Sequence, residues 1–471
     1  MIRRPLALAL ALVLLPAAAS AEDLLQTYEL ARQGDPVLSA AESNRLVTQE
    51  DRIQARARLL PSLAGEARLS RSRNDSEANG LVDPTDPTSG IAPGTNVRSD
   101  TTSRNYSISA SQPIYNRASI KNLQSQNALS EASDFTLEST SQALITRTSQ
   151  AYFNVLVALE NLAAAEAAEA ALQKQFDYAS KRLEVGLAPI TDVHEARAQY
   201  DSARANTILA RNAVEDSYQA LAEITGQQVR NIKGLPKDYQ PSLAESRDAD
   251  GWVATAIENN PGLRAKELQV SSTEADVETA RAGHWPRLYL NGSYSDSETW
   301  GDRTVLDVTR DIDGRSFGPS VGLTLSVPIF SGGATQSGVR QALARRDVAQ
   351  DELEQQKRLL VRNTRNAYQT LVASISEVEA RRLALVSAQA AYDASQVGLE
   401  VGTRTVLDVL QNQNNLFTAQ LEFARARYNH LQSRLLLEQA AGTLDIADVQ
   451  DVNRLLSVDT ASMLPAGDVP R

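Results

Sequence analysis

Glu184-Val185-Gly186-Leu187-Ala188-Pro189-Ile190-Thr191-Asp192-Val193 returns 216 positions later as Glu400-Val401-Gly402-Thr403-Arg404-Thr405-Val406-Leu407-Asp408-Val409. The two copies sit in a longer repeat, Tyr152 to Gly226 against Tyr368 to Gly442, that runs without a gap. Upstream, Ala55-Arg56-Ala57 and Pro61 are answered by Ala280-Arg281-Ala282 and Pro286. Ser111 with Pro113-Ile114-Tyr115 is answered by Ser326 with Pro328-Ile329-Phe330. A duplicated chain builds a pseudosymmetric object, which constrains function more than any single residue does.

Each copy of the quoted stretch joins two helices. Residues 116–183 and 339–397 contain neither Pro nor Gly, and at about 1.5 Å per residue either segment would reach on the order of 100 Å. Apolar residues recur at spacings of three and four, Tyr152, Val155, Leu159, Leu162 in one copy and Tyr368, Leu371, Ile375, Val378 in the other, the seam of a coiled coil. Gly186 and Gly402 suit the left-handed position that ends a helix. Return helices then run from Asp192 to about Ile224 and from Asp408 to about Gln439, giving two antiparallel helical hairpins.

Before each hairpin lies a shorter helix and a pair of strands. A helix opens at Asp35-Pro36 and stops before Pro61; Leu63, Gly65, Ala67 and Leu69 then alternate with Ala64, Glu66, Arg68 and Ser70, a strand with one greasy and one polar side. Residues 72–103 read as a polar loop, and Tyr106 to Gln112 as the returning strand. The second half repeats the plan: a helix from Pro261, a stop at Pro286, a strand through Leu288, Leu290, Gly292 and Tyr294, a polar loop to about Gly318, and a strand from Val321 to Val327. Tyr106, Tyr115, Trp285, Tyr289, Tyr294, Trp300, Phe317 and Phe330 gather near these strands, where membrane-interface aromatics would sit.

Arg3-Arg4, the apolar run Leu6 to Leu15 and Ala19-Ser20-Ala21 form a signal peptide over residues 1–21. With no cysteine in the chain there is neither a lipid-anchored thioether nor a disulfide. No later stretch approaches the roughly 20 apolar residues of a spanning helix, so an exported chain of this kind enters a bilayer as a closed barrel of strands or touches its surface. Four strands fall short of the about eight that the smallest transmembrane barrels need, so the barrel must be shared between copies. The net charge of −11, with no basic patch, argues against nucleic acid. The organisation expected is a first repeat over 22–226, a connector over 227–251, a second repeat over 252–442 and a C-terminal tail over 443–471, loose after Leu456.

At this point the motifs match a known family. Ala151-Tyr152-Phe153-Asn154-Val155-Leu156, Val185-Gly186-Leu187, Ile190-Thr191-Asp192-Val193, Ala196-Arg197-Ala198-Gln199-Tyr200-Asp201 and Val401-Gly402-Thr403-Arg404-Thr405 with Leu407-Asp408-Val409-Leu410 resemble the TolC family of bacterial outer-membrane channels over nearly the whole chain. The resemblance implies a mainly α-helical homotrimer. Each chain would give four strands to one 12-stranded outer-membrane barrel and its long helices to a periplasmic coiled-coil tunnel with a mixed α/β equatorial belt. It implies a passive exit duct for tripartite efflux pumps and type I secretion, working with a periplasmic adaptor and an inner-membrane efflux or ABC transporter. No cofactor is implied.

The two tips differ where a gate would act. Only the second carries a guanidinium, Arg404, which can pair bidentately with a carboxylate; Asp192, beside Thr191 at the head of the other return helix, is the expected acceptor. The resemblance gives such an arginine the role of linking an inner to an outer coil at the closed entrance. Asp192 with Glu195 and Thr405 with Asp408 also fit the capping box, so a helix-capping role stands beside the gating one. Asp408 matches the first of two aspartates that ring the tunnel's narrowest point in the family, a possible cation site. The second position holds Gln411 here, and Leu399 stands where relatives carry a tyrosine. Val185-Gly186-Leu187 and Val401-Gly402-Thr403 match the adaptor-docking motif.

His194, His284 and His430 are isolated, without acidic or cysteine partners at ligand spacing, so no metal enzyme is read. No nucleophile elbow, phosphate loop or paired carboxylates support an enzyme of another kind. The alternative to a channel is an exported coiled-coil scaffold or adhesin whose strands form a soluble stem.

Overall fold

The computed structural model describes residues 23–78, 95–236, 238–241, 247–305 and 308–460; the expected signal peptide lies outside them. The elements in chain order are α1 (Leu24–Gly34), α2 (Pro36–Ala57), β1 (Ser62–Ala78), β2 (Thr95–Tyr115), α3 (Arg117–Glu184), α4 (Ile190–Thr225), β3 (Lys233–Gly234), α5 (Ala249–Asn259), α6 (Pro261–Arg281), β4 (Arg287–Val305), β5 (Val308–Ser326), α7 (Ala334–Glu400), α8 (Val406–Ala441), α9 (Ile446–Leu455) and β6 (Val458–Asp459). Contacts divide the chain into two units, each drawn from both repeats. One comprises Met1–Arg45, Ala132–Lys266 and Glu352–Arg471, the other Leu46–Glu131 and Glu267–Asp351.

The second unit holds an antiparallel sheet in the order β1-β2-β4-β5. Its strands are longer than the alternation predicts. β1 and β2 pair from Ser62↔Ser111 to Ala78↔Thr95, through half of the residues expected to form a loop, and β4 and β5 pair from Arg287↔Ser326 to Val305↔Val308. Alternation of greasy and polar residues marks only the part of a strand with two different environments. Beyond it the backbone ladder continues with polar side chains on both faces, held by cross-strand ion pairs such as Arg71–Asp100 at 2.9 Å, Arg315–Asp296 at 2.7 Å and Arg104–Glu298.

Register sorts the faces. Leu63, Ile108, Tyr294 and Val321 share one face with Leu69, Tyr106, Phe317, Leu323 and Leu325, and Val321 is 81% exposed. The other face is a lattice of hydroxyls and amides. Ser111 Oγ donates to Asn291 at 2.9 Å, Asn291 Nδ2 donates to Thr324 at 3.1 Å, and Ser293 and Ser320 meet at 2.8 Å. An open apolar face backed by a polar one is the pattern of a barrel wall with lipid outside and water within.

The first unit is built on the coiled-coil hairpins. Its core gathers Tyr152, Phe153, Leu156, Leu221, Leu431 and Leu435, all essentially fully buried, where the middle of α3 and the C-terminal parts of α4 and α8 meet α1, α9 and the connector. Two tyrosines tie the connector down: Tyr152 Oη donates to the Lys233 carbonyl at 2.8 Å and accepts from the Lys233 N–H, while Tyr428 Oη accepts from the Leu235 N–H at 3.4 Å and donates to Glu160 at 3.0 Å. Burial raises both phenols well above the ordinary tyrosine range, so they stay protonated. Arg427, 3% exposed, grips both oxygens of Glu160 and donates to the Pro236 carbonyl at 3.0 Å. His430 hydrogen-bonds Ser374 at 2.9 Å and is held down to about 4 by burial and then by Arg434, so it is neutral.

The tail departs from expectation. As far as Thr460 it does not loosen after Leu456 but adds β6 antiparallel to β3, and Thr460 Oγ1 donates to the Ile232 carbonyl at 2.7 Å; residues 461–471 of the expected loose tail lie outside the described residues. The apolar residues Val449 and Val452 of α9 fix it to the core, a three-to-four spacing that was legible but too short to weigh. The helices α1 and α5 also escaped the sequence reading. Their capping aspartates, Asp23 and Asp248, each accept a backbone N–H at 2.9 Å.

Two outcomes follow from this core. Arg427→Ala strands the Glu160 carboxylate and the Pro236 carbonyl, and removing one partner of a buried pair costs about 3 kcal/mol. Thermal melting by far-UV circular dichroism should show a marked drop, whereas the exposed pair Arg382–Glu379 should be silent. Glu438 on α8 faces Asp448 of α9, with Arg434 donating at 3.3 Å and also pairing Asp451. Burial and then the charge of Asp448 push Glu438 up to about 7, against the pull of Arg434. A raised carboxyl holds its proton more tightly folded than unfolded, so its contribution is full below about 4.5 and is lost as pH rises through about 7. Glu438→Gln should flatten the fall in melting temperature across that window.

Candidate functional site at the helical hairpin tips

Both tips use the same backbone device. α3 ends with Gly186 at φ +74°, the Leu187 N–H bonding back to the Arg182 carbonyl at 2.8 Å; α7 ends with Gly402 at φ +79°, the Thr403 N–H bonding back to Gly398 at 2.8 Å. Positive φ with this six-to-one bond is the Schellman cap, which only glycine adopts without strain. The turns leave Val185 67%, Leu187 67% and Val401 68% exposed. Each tip thus presents apolar side chains to the surface at its turn.

The tips part company at the return helices. α8 begins with a complete capping box: Asp408 Oδ2 accepts from the Thr405 N–H at 2.9 Å and from the Thr405 hydroxyl at 2.9 Å, and the Asp408 N–H donates to Thr405 Oγ1 at 3.2 Å. The backbone and hydroxyl donors of Thr405, and then the charge of Arg404, hold the Asp408 carboxyl below the usual aspartate range. α4 begins differently. Pro189 is its N-cap with no side-chain bond, so Asp192 is the third helical residue and not a cap, and the expected Asp192–Glu195 box does not form. Helix α4 starts two residues earlier than its acidic residue suggests because proline at the cap fixes the entering φ. The Thr191 hydroxyl lies 3.5 Å from Asp192 Oδ1, and the Asp192 N–H donates to the Pro189 carbonyl at 3.2 Å.

Arg404 is positioned by a residue that sequence reading passed over. A Cβ on Gly398 would meet Arg404 Cγ at 2.7 Å, so the missing side chain makes the bed for the arginine's stem. In the first tip the equivalent position is Arg182, which donates to the Leu187 carbonyl at 3.1 Å. The signal was present in the repeat as an Arg-to-Gly exchange at the position packed against Arg404. Among the described residues, no hydrogen bond or ion pair joins Arg404 to Asp192 within one chain. Gln411, exposed on α8, donates to Asn415 at 3.2 Å.

Behind the tips, α3, α4 and α8 enclose a groove of about 500 Å³ lined by Ala165, Ala168, Ala203, Gln413, Phe417 and Leu421 among others. Its walls are small apolar residues and uncharged amides. No helix of the described residues is long and apolar enough to cross a membrane, and the described residues hold no cluster of three metal-ligating side chains.

Known proteins share this arrangement. The pattern of the family described as outer membrane efflux protein matches residues 27–227 and 252–443. The chain is 33% identical to outer membrane protein TolC of Vibrio cholerae over 455 residues, covering 96% of this chain and 98% of that one. It is 28% identical to the alkaline protease secretion protein AprF of Pseudomonas aeruginosa over 447 residues, 93% and 88% of the two chains. In fold it is similar to the CmeC outer membrane channel of Campylobacter jejuni, with a TM-score of 0.72 at 19% identity over 93% of this chain and 90% of that one. Long helical hairpins, a one-sided sheet and a family match across both repeats lead to one conclusion: the chain belongs to the outer membrane efflux protein family and is an outer-membrane channel.

Proposed function

We propose that three copies of this chain close a 12-stranded barrel and a helical tunnel, forming the passive exit duct of tripartite efflux pumps and type I secretion. The observation that carries the reading is the sheet order: β1 and β5 are terminal, and among the described residues neither has a second partner strand. In lipid each unpaired backbone group costs several kcal/mol, so such a sheet is admitted only when its edges meet those of other copies. The family's description as outer membrane efflux protein and the name of one relative, a protease secretion protein, support a duct that serves more than one kind of cargo.

The tips then form the periplasmic gate. Because Arg404 and Asp192 do not meet within a chain, their link runs between copies, with Thr191 beside it. An exposed pair contributes at most about 1 kcal/mol, and three such links around a ring hold the entrance closed while leaving it openable. Asp408, ringed threefold, gives one band of negative charge whose Oδ1 atoms remain after capping. Gln411 supplies no second band, so any cation plug rests on a single ring. Docking of a periplasmic adaptor on Val185-Gly186-Leu187 and Val401-Gly402-Thr403 would cover the exposed valines and leucine and let the coils swing outward. An inner-membrane transporter would supply the energy, and the chain itself would catalyse nothing.

Planar-bilayer recording tests the gate. Arg404→Ser and Asp192→Ala should each raise single-channel conductance several-fold, and Gly398→Ala, which evicts the arginine stem without removing it, should raise it by less. Unchanged conductance in all three would leave the tips as helix ends alone. Purified wild-type protein that forms no pore in bilayers would favour the scaffold reading.

A further inference from the structure

The duplication offers a template for an interface that a single chain does not contain. Inside the chain, the end of the first repeat (β2) meets the start of the second (β4). In a closed assembly the end of the second repeat (β5) meets the start of the first (β1) in the next copy. Pseudosymmetry makes the second seam the counterpart of the first, and the inner seam is fully defined.

In the inner seam Ala110 faces Gly292, Gln112 faces Leu290, Pro113 faces Tyr289, and after a bulge Tyr115 faces Leu288. The matched sequences Ser111-Gln112-Pro113-Ile114-Tyr115 and Ser326-Val327-Pro328-Ile329-Phe330 carry β2 onto β5, and Pro61 with Pro286 carries β1 onto β4. Transferring the pairs gives Leu325 opposite Ala67, Val327 opposite Gly65, and Phe330 against Leu63.

Three observations independent of the template agree with this register. First, parity: Leu323, Leu325 and Val321 lie on the same face as Leu63, Ala67 and Leu69, and a slip of one residue would turn one set into the lumen. Second, size: small Gly65 and Ala67 receive the large Val327 and Leu325, while Arg315 comes opposite Glu77. Third, exposure: Ile329 is 95% and Phe330 88% exposed in the single chain, and Leu60 and Leu63 are 53% and 75% exposed at the base of the other edge. Inside the chain the counterpart of Phe330, Tyr115, lies opposite Leu288, the counterpart of Leu63, and is half-buried, and the inner seam is flanked by Asn116 donating to Tyr289 Oη at 3.2 Å and Arg117 lying 4.7 Å over the Trp285 ring.

We propose that copies of this chain join through a β5–β1 seam in which Leu325 faces Ala67, with Ile329 and Phe330 of one copy packed on Leu60 and Leu63 of the next. This rests on the assembly proposed above and adds its register and its apolar peg. The inner seam is locked by polar and cation–π contacts, whereas the outer one is locked by greasy side chains that have no partner until another copy arrives.

The absence of cysteine from the chain makes the test clean. Directly opposed residues on antiparallel strands bring Cα atoms to about 4.5–5.5 Å, within disulfide reach, while a two-residue offset puts them about 7–8 Å apart. Purified detergent-solubilised Ala67→Cys/Leu325→Cys protein, oxidised and run without reductant, should form a covalent trimer that reductant dissolves. Gly65→Cys/Leu325→Cys and Leu69→Cys/Leu325→Cys should crosslink several-fold less. Phe330→Ala should lower the temperature at which the unlinked wild-type assembly dissociates. Preferential crosslinking of an offset pair, or no crosslink in a protein that light scattering shows to be trimeric, would overturn the register while leaving the trimer standing. A monomeric wild type would overturn both.

Discussion

Everything about this molecule follows from the refusal of hydrocarbon to hydrogen-bond with a peptide group. A sheet whose one face is greasy belongs in lipid, yet its two terminal strands carry a row of N–H and C=O groups that lipid cannot satisfy. Lengthening the sheet within one chain would answer the problem, and so would borrowing strands from copies. The described strands of this sheet form two hairpins, so in the assembly proposed above closure comes from other copies. The same constraint explains why the ladder runs so far past the apolar band: strands that keep every backbone group paired beyond the oil lose nothing, and cross-strand arginine–carboxylate pairs hold the polar extension in register.

Duplication supplies the pseudosymmetry, and departures from it supply the function. Tyr152 and Tyr368 are repeat mates, but Tyr152 is completely buried and clasps Lys233 while Tyr368 packs only part-buried beside Trp252. The reason is the connector, which exists once. It lies against the first repeat's helices and against α8, and Arg427 and Glu160 are the price of burying its carbonyls, since an unpaired Pro236 oxygen would forfeit a hydrogen bond in a dry interior. The tail adds its two-residue strand to the same place. A belt made from single-copy segments thus braces helices that are otherwise near-duplicates.

The sequence disclosed what depends on periodicity and punctuation. Long helices free of Pro and Gly, glycines at the tips, prolines closing the short helices and an alternating stretch at the base of each strand all follow from local rules. What it concealed depends on partners distant in sequence. Residues 95–105 and 295–305 look like loop because their composition is polar, and only pairing with one another makes them strand. The ordered tail was hidden for the same reason, as Val458 and Asp459 become strand only against Lys233 and Gly234. At the tips, the glycine caps and the Thr405–Asp408 box were legible from spacing alone. Gly398 was not, because its meaning lies in the side chain of Arg404 six residues away.

A duct with this construction has to stay closed at rest and open on demand, and that sets the strength of its fastening. A buried salt bridge or an apolar plug at the tips would be hard to undo with the surface of a docking partner alone. Exposed pairs are weak, and in the proposed trimer that weakness multiplied by threefold symmetry would give a lock whose total is on the order of a few kcal/mol. Such a lock is comparable with what burying a few side chains contributes, about 1.5–3 kcal/mol for each fully covered valine or leucine. Val185, Leu187 and Val401 stand exposed at the very turns beside that lock. In the docking proposed above, a partner that covers them would gain enough to offset the broken links, and its departure would restore the closed ring without any input of energy from the channel.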